Sequence, residues 1–308
     1  MKYAIISDIH GNLPALQAVL LDSKVQGADK YLLIGDYVTN YTWCNEVTET
    51  ISKLTNATVI GGNHEGYLRS LSKIDEKEWK YDQFRLVYWT YRELTPENLN
   101  YLMNLPETAT VEDCGGVIYL AHASNVFFRQ PRMRLFHSDV FREMMENKPF
   151  THEEYLAAAR ESLLSCPDVL NDILALPKGV YLFGHNHLQF YMEYEGRLFI
   201  NPGSCGEPLD CDTTAPYTLL EYVNNRWVIT ERRVAYDIDA VAIKLRESPF
   251  STYTPIWSEL VMFSLLNGKD NIGAFLAHVE KVSQKYGQTE KPVSNDIWNT
   301  AVKTWTLR

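Results

Sequence analysis

Three short apolar runs, Tyr3-Ala-Ile-Ile6, Lys30-Tyr-Leu-Leu-Ile34 and Ala57-Thr-Val-Ile60, read as buried strands. The stretches between them carry apolar residues at helical spacing, over Leu13 to Leu21 and about Asn45 to Leu54. This strand-helix-strand-helix-strand rhythm is the signature of a right-handed parallel α/β unit. Each run stops at a polar cluster: Ser7-Asp8-Ile9-His10-Gly11-Asn12, then Gly35-Asp36, then Gly61-Gly62-Asn63-His64-Glu65. Ligands in open α/β sheets bind off the carboxyl ends of strands, so the clusters are expected to converge. Strand alternation predicts that Asp8 and His10 point the same way. Asn12 stands where it can cap the following helix, with Pro14 suited to its first turn.

The pattern extends down the chain. Ser70 to Leu105 reads as mostly helical, and its aromatics are expected to pack helices rather than form a stacking platform. Thr108 to Glu112 and Val117 to Leu120 read as a hairpin running into Ala121-His122. About 125–178 reads as an insertion over the site, basic in its first part through Arg129, Arg132, Arg134, His137 and Arg142. Helical pattern resumes over His152 to Leu164 and Asp168 to Leu176. Val180 to Phe183 reads as a strand ending in Gly184-His185-Asn186-His187. Two further hairpins are expected over 188–200 and 217–234, with Asn201-Pro-Gly-Ser204 between them. From Asp237 the pattern is helical, and Ile256, Leu260, Phe263 and Leu266 are expected to cover a sheet edge or a partner subunit.

Composition narrows the class. A formal net charge of −10 argues against general nucleic-acid or anionic-membrane binding, both of which call for basic patches. Ala4-Ile5-Ile6 is too short for the apolar core of a signal peptide, and no window approaches a membrane span. The five cysteines are widely spaced and read as reduced thiols, which together with the N-terminus predicts a cytoplasmic protein.

Five of the eight histidines fall in the strand-end clusters. Imidazoles mixed with carboxylates suit transition metals such as Mn, Fe, Zn, Co or Ni rather than Mg or Ca. Asp8, His10, Asp36, Asn63, His122, His185 and His187 are too many for one tetrahedral ion and about right for two ions sharing a carboxylate. Such a centre stays net positive after two aspartates are counted, so it attracts phosphate to an acidic protein and makes hydroxide available near neutral pH. His64, beside Asn63 and surplus as a ligand, is the candidate proton donor or extra cation at phosphorus. Glu65 is the candidate for holding its imidazole in place.

These motifs resemble the calcineurin-like metallophosphoesterase superfamily over roughly residues 1–235. The resemblance implies a four-layer α-β-β-α sandwich of two mixed sheets flanked by helices, followed here by a helical extension over 236–308. It implies two metal ions, with manganese or iron favoured. Asp8, His10, Asp36 and His187 would hold the first, and Asp36 (bridging), Asn63, His122 and His185 the second. His64 matches the family's catalytic histidine. The layout is similar to stand-alone bacterial phosphoesterases, some of which resemble symmetrical diadenosine tetraphosphate hydrolases. The implied partner is a small phosphorylated or nucleotide substrate. Asn12, Arg129, Arg132 and Arg134 are the candidate substrate contacts, and Tyr37, Tyr41, Trp43, Phe127 and Phe128 lie where a base could stack.

The chain departs from the pattern after Gly35-Asp36-Tyr37-Val38. Serine/threonine protein phosphatases typically continue with Asp-Arg-Gly, and here Thr39-Asn40-Tyr41 follows, without the arginine. A protein phosphatase is therefore the weaker alternative. A non-catalytic scaffold of the same fold is disfavoured because every ligand and His64 are intact.

Overall fold

The computed structural model describes residues 1–127, 138–147 and 151–306. In chain order the first unit is β1 (Lys2–Ile6), α1 (Leu13–Val25), β2 (Lys30–Ile34), α2 (Cys44–Ser52) and β3 (Ala57–Ile60). Three helices follow: α3 (Asn63–Leu71), α4 (Arg85–Glu93) and α5 (Pro96–Met103). The second half alternates again: β4 (Thr108–Asp113), β5 (Gly116–Ala121), α6 (Ser138–Asn147), α7 (His152–Leu164), α8 (Pro167–Ala175) and β6 (Gly179–Leu182). Two hairpins come next, β7 (Gln189–Tyr194) with β8 (Arg197–Pro202), and β9 (Ala215–Val223) with β10 (Arg226–Val234). The chain closes in α9 (Ile238–Glu247), α10 (Pro249–Tyr253), α11 (Pro255–Asn267), α12 (Asn271–Lys285) and α13 (Asn295–Thr304).

Among the described residues the strands form two five-stranded sheets, ordered β10-β9-β1-β2-β3 and β4-β5-β6-β8-β7. Both are mixed: β1, β2 and β3 run parallel, as do β5, β6 and β8, while β9–β10, β4–β5 and β7–β8 pair antiparallel. Side chains alternate across each strand, and the sequence exploits both faces. Tyr3, Ile5, Leu32, Ile34 and Ile60 face inward onto Ile118, Leu120, Val180, Leu182, Leu198 and Ile200 of the other sheet. Ala4, Ile6 and Leu33 face outward into a larger core with α1, α2 and the C-terminal helices. Tyr181 and Phe199 pack outward under Leu156, Leu163, Val169 and Ile173 of α7 and α8. The result is the expected helix-sheet-sheet-helix layering.

The C-terminal helices join the outer core of the first sheet. Val241, Leu245, Leu260, Phe275, Ile297 and Trp298 belong to the same cluster as Leu16 and Val19 of α1. The aromatics of 79–91 pack as expected, with Trp79 stacked on Tyr88 at 5.0 Å and Trp89 against Phe250. The cysteines are free thiols.

Candidate metal centre

The two sheets bring five strand ends to one edge. Asp8 and His10 follow β1, Asp36 follows β2, Asn63 opens α3 after β3, His122 follows β5, and His185 and His187 follow β6. Backbone hydrogen bonds stitch these loops together: Asp8 N to Gly35 O at 3.0 Å, His10 N to Asp36 O at 3.0 Å, and Gly184 N to His122 O at 2.9 Å.

The convergence has a different cause from the one alternation predicts. β1 ends at Ile6, and both Asp8 (φ 52°) and His10 (φ 54°) lie in the left-handed region. Asp36, His185 and His187 do too, at 55°, 68° and 59°. Non-glycine residues rarely adopt this conformation. A left-handed residue turns the chain sharply, so consecutive polar side chains are aimed at one point rather than alternating. Gly62 allows a close approach: a Cβ there would meet Asp36 Oδ1 at 2.2 Å.

Among the described residues, side-chain geometry defines three groups whose potential ligand atoms lie within 4.8 Å of one another: Asp8 with His10 and His187, His10 with Asp36 and His64, and Asp36 with His122 and His185. Asn63 joins the last, its Oδ1 standing 2.9 Å from His122 Nε2 and 2.8 Å from His185 Nδ1. Asp36 Oδ2 is 3.0 Å from His122 Nε2.

The donor set fits a metal. His122 Nδ1 lies 2.7 Å from the Ile34 carbonyl and His187 Nδ1 2.7 Å from the Glu207 carbonyl. A carbonyl can only accept, so both rings carry their proton on Nδ1 and turn the Nε2 lone pair inward. His10 Nε2 stands 3.3 Å from His187 Nε2, and His10 Nδ1 is buried with no hydrogen-bond partner among the described residues, so nothing else among them holds this ring's polar atoms. The field calls for positive charge at the same place, which a proton on His122 Nε2 supplies where no ion does. Burial opposes charge on His122, yet Asp36 and Asp8 hold its imidazole up to about 10. Burial raises the Asp8 carboxyl, while His122 and His64, working against burial, keep that of Asp36 well below its ordinary value.

Asp8, His10 and Asp36 form a floor that is at most 1% exposed, while His185 is exposed and Asn63 and His64 are half-buried. The open side is therefore bounded by α3 and His185. Tyr67, one helical turn after Asn63, is 48% exposed with its ring 5.3 Å from that of His64.

Two expectations are corrected. Glu65 does not touch the His64 imidazole. Its carboxylate is fully buried and accepts from Gly62 N, Asp36 N and Tyr37 N at 2.7, 2.9 and 3.0 Å, clamping the Asp36 loop to the start of α3. The partner of His64 Nδ1 is Thr39 Oγ1. Asn12 does not face the open side: it is buried, caps α1 through Ala15 N and donates to Gly206 O. Arg129, Arg132, Arg134, His137 and Phe128 lie outside the described residues. Tyr37 and Tyr41 are buried, so they support the loop.

Some bracing residues were not singled out as candidates. Ser204 donates to Asp8 O at 2.7 Å and Asn201 to Gly184 O at 2.9 Å, which gives the Asn-Pro-Gly-Ser loop a structural task. Glu207 sits buried behind His187, pushed up to about 7 by burial, and accepts from Asn40 Nδ2. A single glutamate in a loop carries no sequence signal of this.

Carboxylates, imidazoles and an amide converging at the strand ends of a double-sheet sandwich define a metal-dependent hydrolase. The calcineurin-like phosphoesterase superfamily domain matches residues 1–225, and the chain belongs to that family, as a metal-dependent phosphoester hydrolase. It is 30% identical over 250 residues to an uncharacterized protein of Methanocaldococcus jannaschii, covering 76% of this chain and 88% of that one. A crystal structure of a metallophosphoesterase from Sphaerobacter thermophilus superposes with a TM-score of 0.61 at 24% identity, over 87% of this chain and 99% of that one. A hypothetical protein from Pyrococcus horikoshii gives 0.58 at 17% identity, with 87% and 99% covered.

Proposed function

We propose that the enzyme is a dinuclear phosphoesterase that hydrolyses small phosphate esters or nucleotide phosphoanhydrides. Asp8, His10, Asp36 and His187 would hold one ion, and Asp36, Asn63, His122 and His185 the other. The observation that carries this reading is Asp36, which belongs both to a group with His10 and to a group with His122 and His185. When bound, the ions supply Lewis acidity toward phosphoryl oxygens and make hydroxide available near neutral pH.

The remaining work falls to the chain's own side chains. The buried floor of Asp8, His10 and Asp36 excludes water from beneath, so substrate enters along His185, Asn63, His64 and Tyr67. His64 Nε2 stands 3.8 Å from Asp36 Oδ2, at the border of the ligand groups, where it can hold a proton toward an oxygen on phosphorus. The loop after Asp36 carries no cation, and Asn40 turns to Glu207, which disfavours the protein-phosphatase alternative.

The test pairs metal analysis with two substrates. Protein purified without chelator should hold close to two equivalents of transition metal and hydrolyse p-nitrophenyl phosphate or its bis ester with Mn²⁺. His64→Ala should lower kcat by about 10²–10⁴-fold with the metal content unchanged. A stoichiometry of one, or His64→Ala losing metal, would overturn the assignment. Catalytic silence on both esters and on nucleotides would favour a scaffold.

A further inference from the structure

Thr39 is a β-branched residue, fully buried, with φ of 76°. Branching at Cβ makes this conformation a true outlier, and such outliers persist only where the surroundings over-determine them. Asn40 follows it into the same region at 66°. The loop is fixed from every side. Glu65 accepts from Asp36 N and Tyr37 N, and Asn40 Nδ2 donates to Glu207 Oε2 at 2.5 Å. Gly11 N donates to Tyr37 O at 2.8 Å, and Tyr41 N donates to both Thr39 O and His10 O at 2.8 Å. What this arrangement delivers is a single contact, Thr39 Oγ1 on His64 Nδ1. Among the described residues the hydroxyl has no other hydrogen-bond partner.

We propose that Thr39 is a positioning residue that fixes the tautomer of His64, with Nδ1 as acceptor and the ring proton on Nε2. A hydroxyl can donate, and with no competing acceptor its proton goes to the Nδ1 lone pair. The ring then turns an Nε2–H toward the ligand groups, where a leaving or equatorial phosphoryl oxygen would accept it. A carboxylate at position 39 would do the reverse: it can only accept, so it would draw the proton onto Nδ1. Of the other contacts of His64, Asp36 Oδ2 at 3.8 Å from Nε2 favours the same tautomer, and the rest leave it open. Its backbone N donates to Asp36 Oδ1 at 2.8 Å, and its ring meets His10 edge-on at 4.8 Å and tilts against Tyr67.

The inference rests on a phosphoryl group binding before His64, so its test has one arm independent of turnover. In metal-free protein labelled with ¹⁵N-histidine, long-range ¹H–¹⁵N correlation should show His64 as the Nε2–H tautomer. Thr39→Val, which keeps the branching and removes the hydroxyl, should shift it toward Nδ1–H, and Thr39→Ser should restore the wild-type pattern. With Mn²⁺ and p-nitrophenyl phosphate, Thr39→Val should lower kcat about tenfold at unchanged KM and metal content, while Thr39→Ser stays within about threefold. A wild-type Nδ1–H tautomer would overturn the proposal. So would Thr39→Val with wild-type tautomer and kcat, or Thr39→Ser falling as far as Thr39→Val, which would mean packing alone. An inactive wild type would overturn the phosphoesterase reading, and the spectroscopic arm would then decide the positioning role by itself.

Discussion

Asp8, His10, Asp36, His185 and His187 reach a common point because their backbones are left-handed, each at a cost of about 1–3 kcal/mol that neighbouring groups must offset. Glu65 is one of those groups, and the energetics of its three amide contacts yield a prediction. Glu65→Ala would leave Gly62, Asp36 and Tyr37 N–H groups buried without acceptors, at roughly 1–3 kcal/mol each. Urea unfolding should therefore show a loss of at least about 3 kcal/mol, with metal content falling as Asp36 drifts. Full stability and full metal occupancy would mean that water replaces the carboxylate. At this scale the sequence reveals residue types better than conformations. Asp, His and Asn in rare combinations announce a metal site because few other uses need them together. Nothing in Gly-Asp-Tyr-Val-Thr-Asn announces a left-handed threonine, since propensity disfavours one and only the tertiary frame imposes it. The role expected of Glu65 failed for a related reason. Adjacency to His64 in sequence suggested contact, whereas residues one apart on a helix diverge by about 100°.

Each strand-end loop places one or two candidate ligands. Gly62 shows how tightly they are stacked, because a methyl group there would collide with Asp36 Oδ1 at 2.2 Å and with Asp36 N at 2.7 Å. Gly62→Ala should keep the far-ultraviolet circular dichroism of the fold yet lose most bound metal, and undiminished metal would show that the Asp36 loop can retreat. Helix α3 contributes by its period. Asn63 in its first turn supplies a candidate ligand and Tyr67, four residues on, stands above it at the rim, while Leu68 and Leu71 are buried, so a single short helix serves both. Tyr67→Ala should raise KM for aromatic esters several-fold with kcat nearly unchanged, read from steady-state kinetics on aryl and alkyl phosphates. An equal effect on both would point to rim shape rather than stacking. Away from the site, α1 is tied to the last hairpin by Asp22, which accepts from Arg232 at 3.0 Å twice and from Tyr217 Oη at 2.6 Å. Burial opposes ionisation of this carboxyl, but Arg232 and Tyr217 outweigh it and hold it below its ordinary value of 3.8. A depressed folded pKa stabilises above the unfolded value and is lost as pH falls through the folded one. Asp22→Asn should cost about 1 kcal/mol at pH 7, and the difference from wild type should narrow as the pH drops below about 4. The elements themselves were mostly legible, because short apolar runs and helical spacing alternate from β1 to β10. The layer that the tail covers was not, since apolar positions such as Leu260 say that a face is buried but not against what.

Across the whole molecule the two sheets meet at one edge in the candidate centre and elsewhere in an apolar layer, tied also by Tyr3 to Asp113 and by Gln189 to the Tyr217 and Arg232 carbonyls. Asp8, Asp36 and Asn63 come from the first sheet, and His122, His185 and His187 from the second. Any cation held by both sets binds the folded sandwich and not the unfolded chain, where these residues are far apart. Such a ligand stabilises by mass action, about 2.7 kcal/mol when its free concentration is a hundred times its Kd. It also supplies the positive charge that the buried carboxylates draw, which without an ion shows as burial raising Asp8 and as Asp36 and Asp8 raising His122. Chelation should therefore lower Tm by several degrees. Graded Mn²⁺ should restore it logarithmically with free metal rather than to a fixed plateau. Trp298→Ala offers the matching control, because it opens a cavity against Phe275 and Trp257 in the cluster behind the first sheet. That change should cost about 3–5 kcal/mol, yet leave the increment that Mn²⁺ adds to Tm intact. If instead chelator leaves Tm unmoved in wild type, while Asp36→Asn leaves both Tm and activity unmoved, the strand ends hold no cation between the sheets. If Trp298→Ala abolishes the metal increment, the C-terminal helices support the ligand loops directly rather than only the layer behind them.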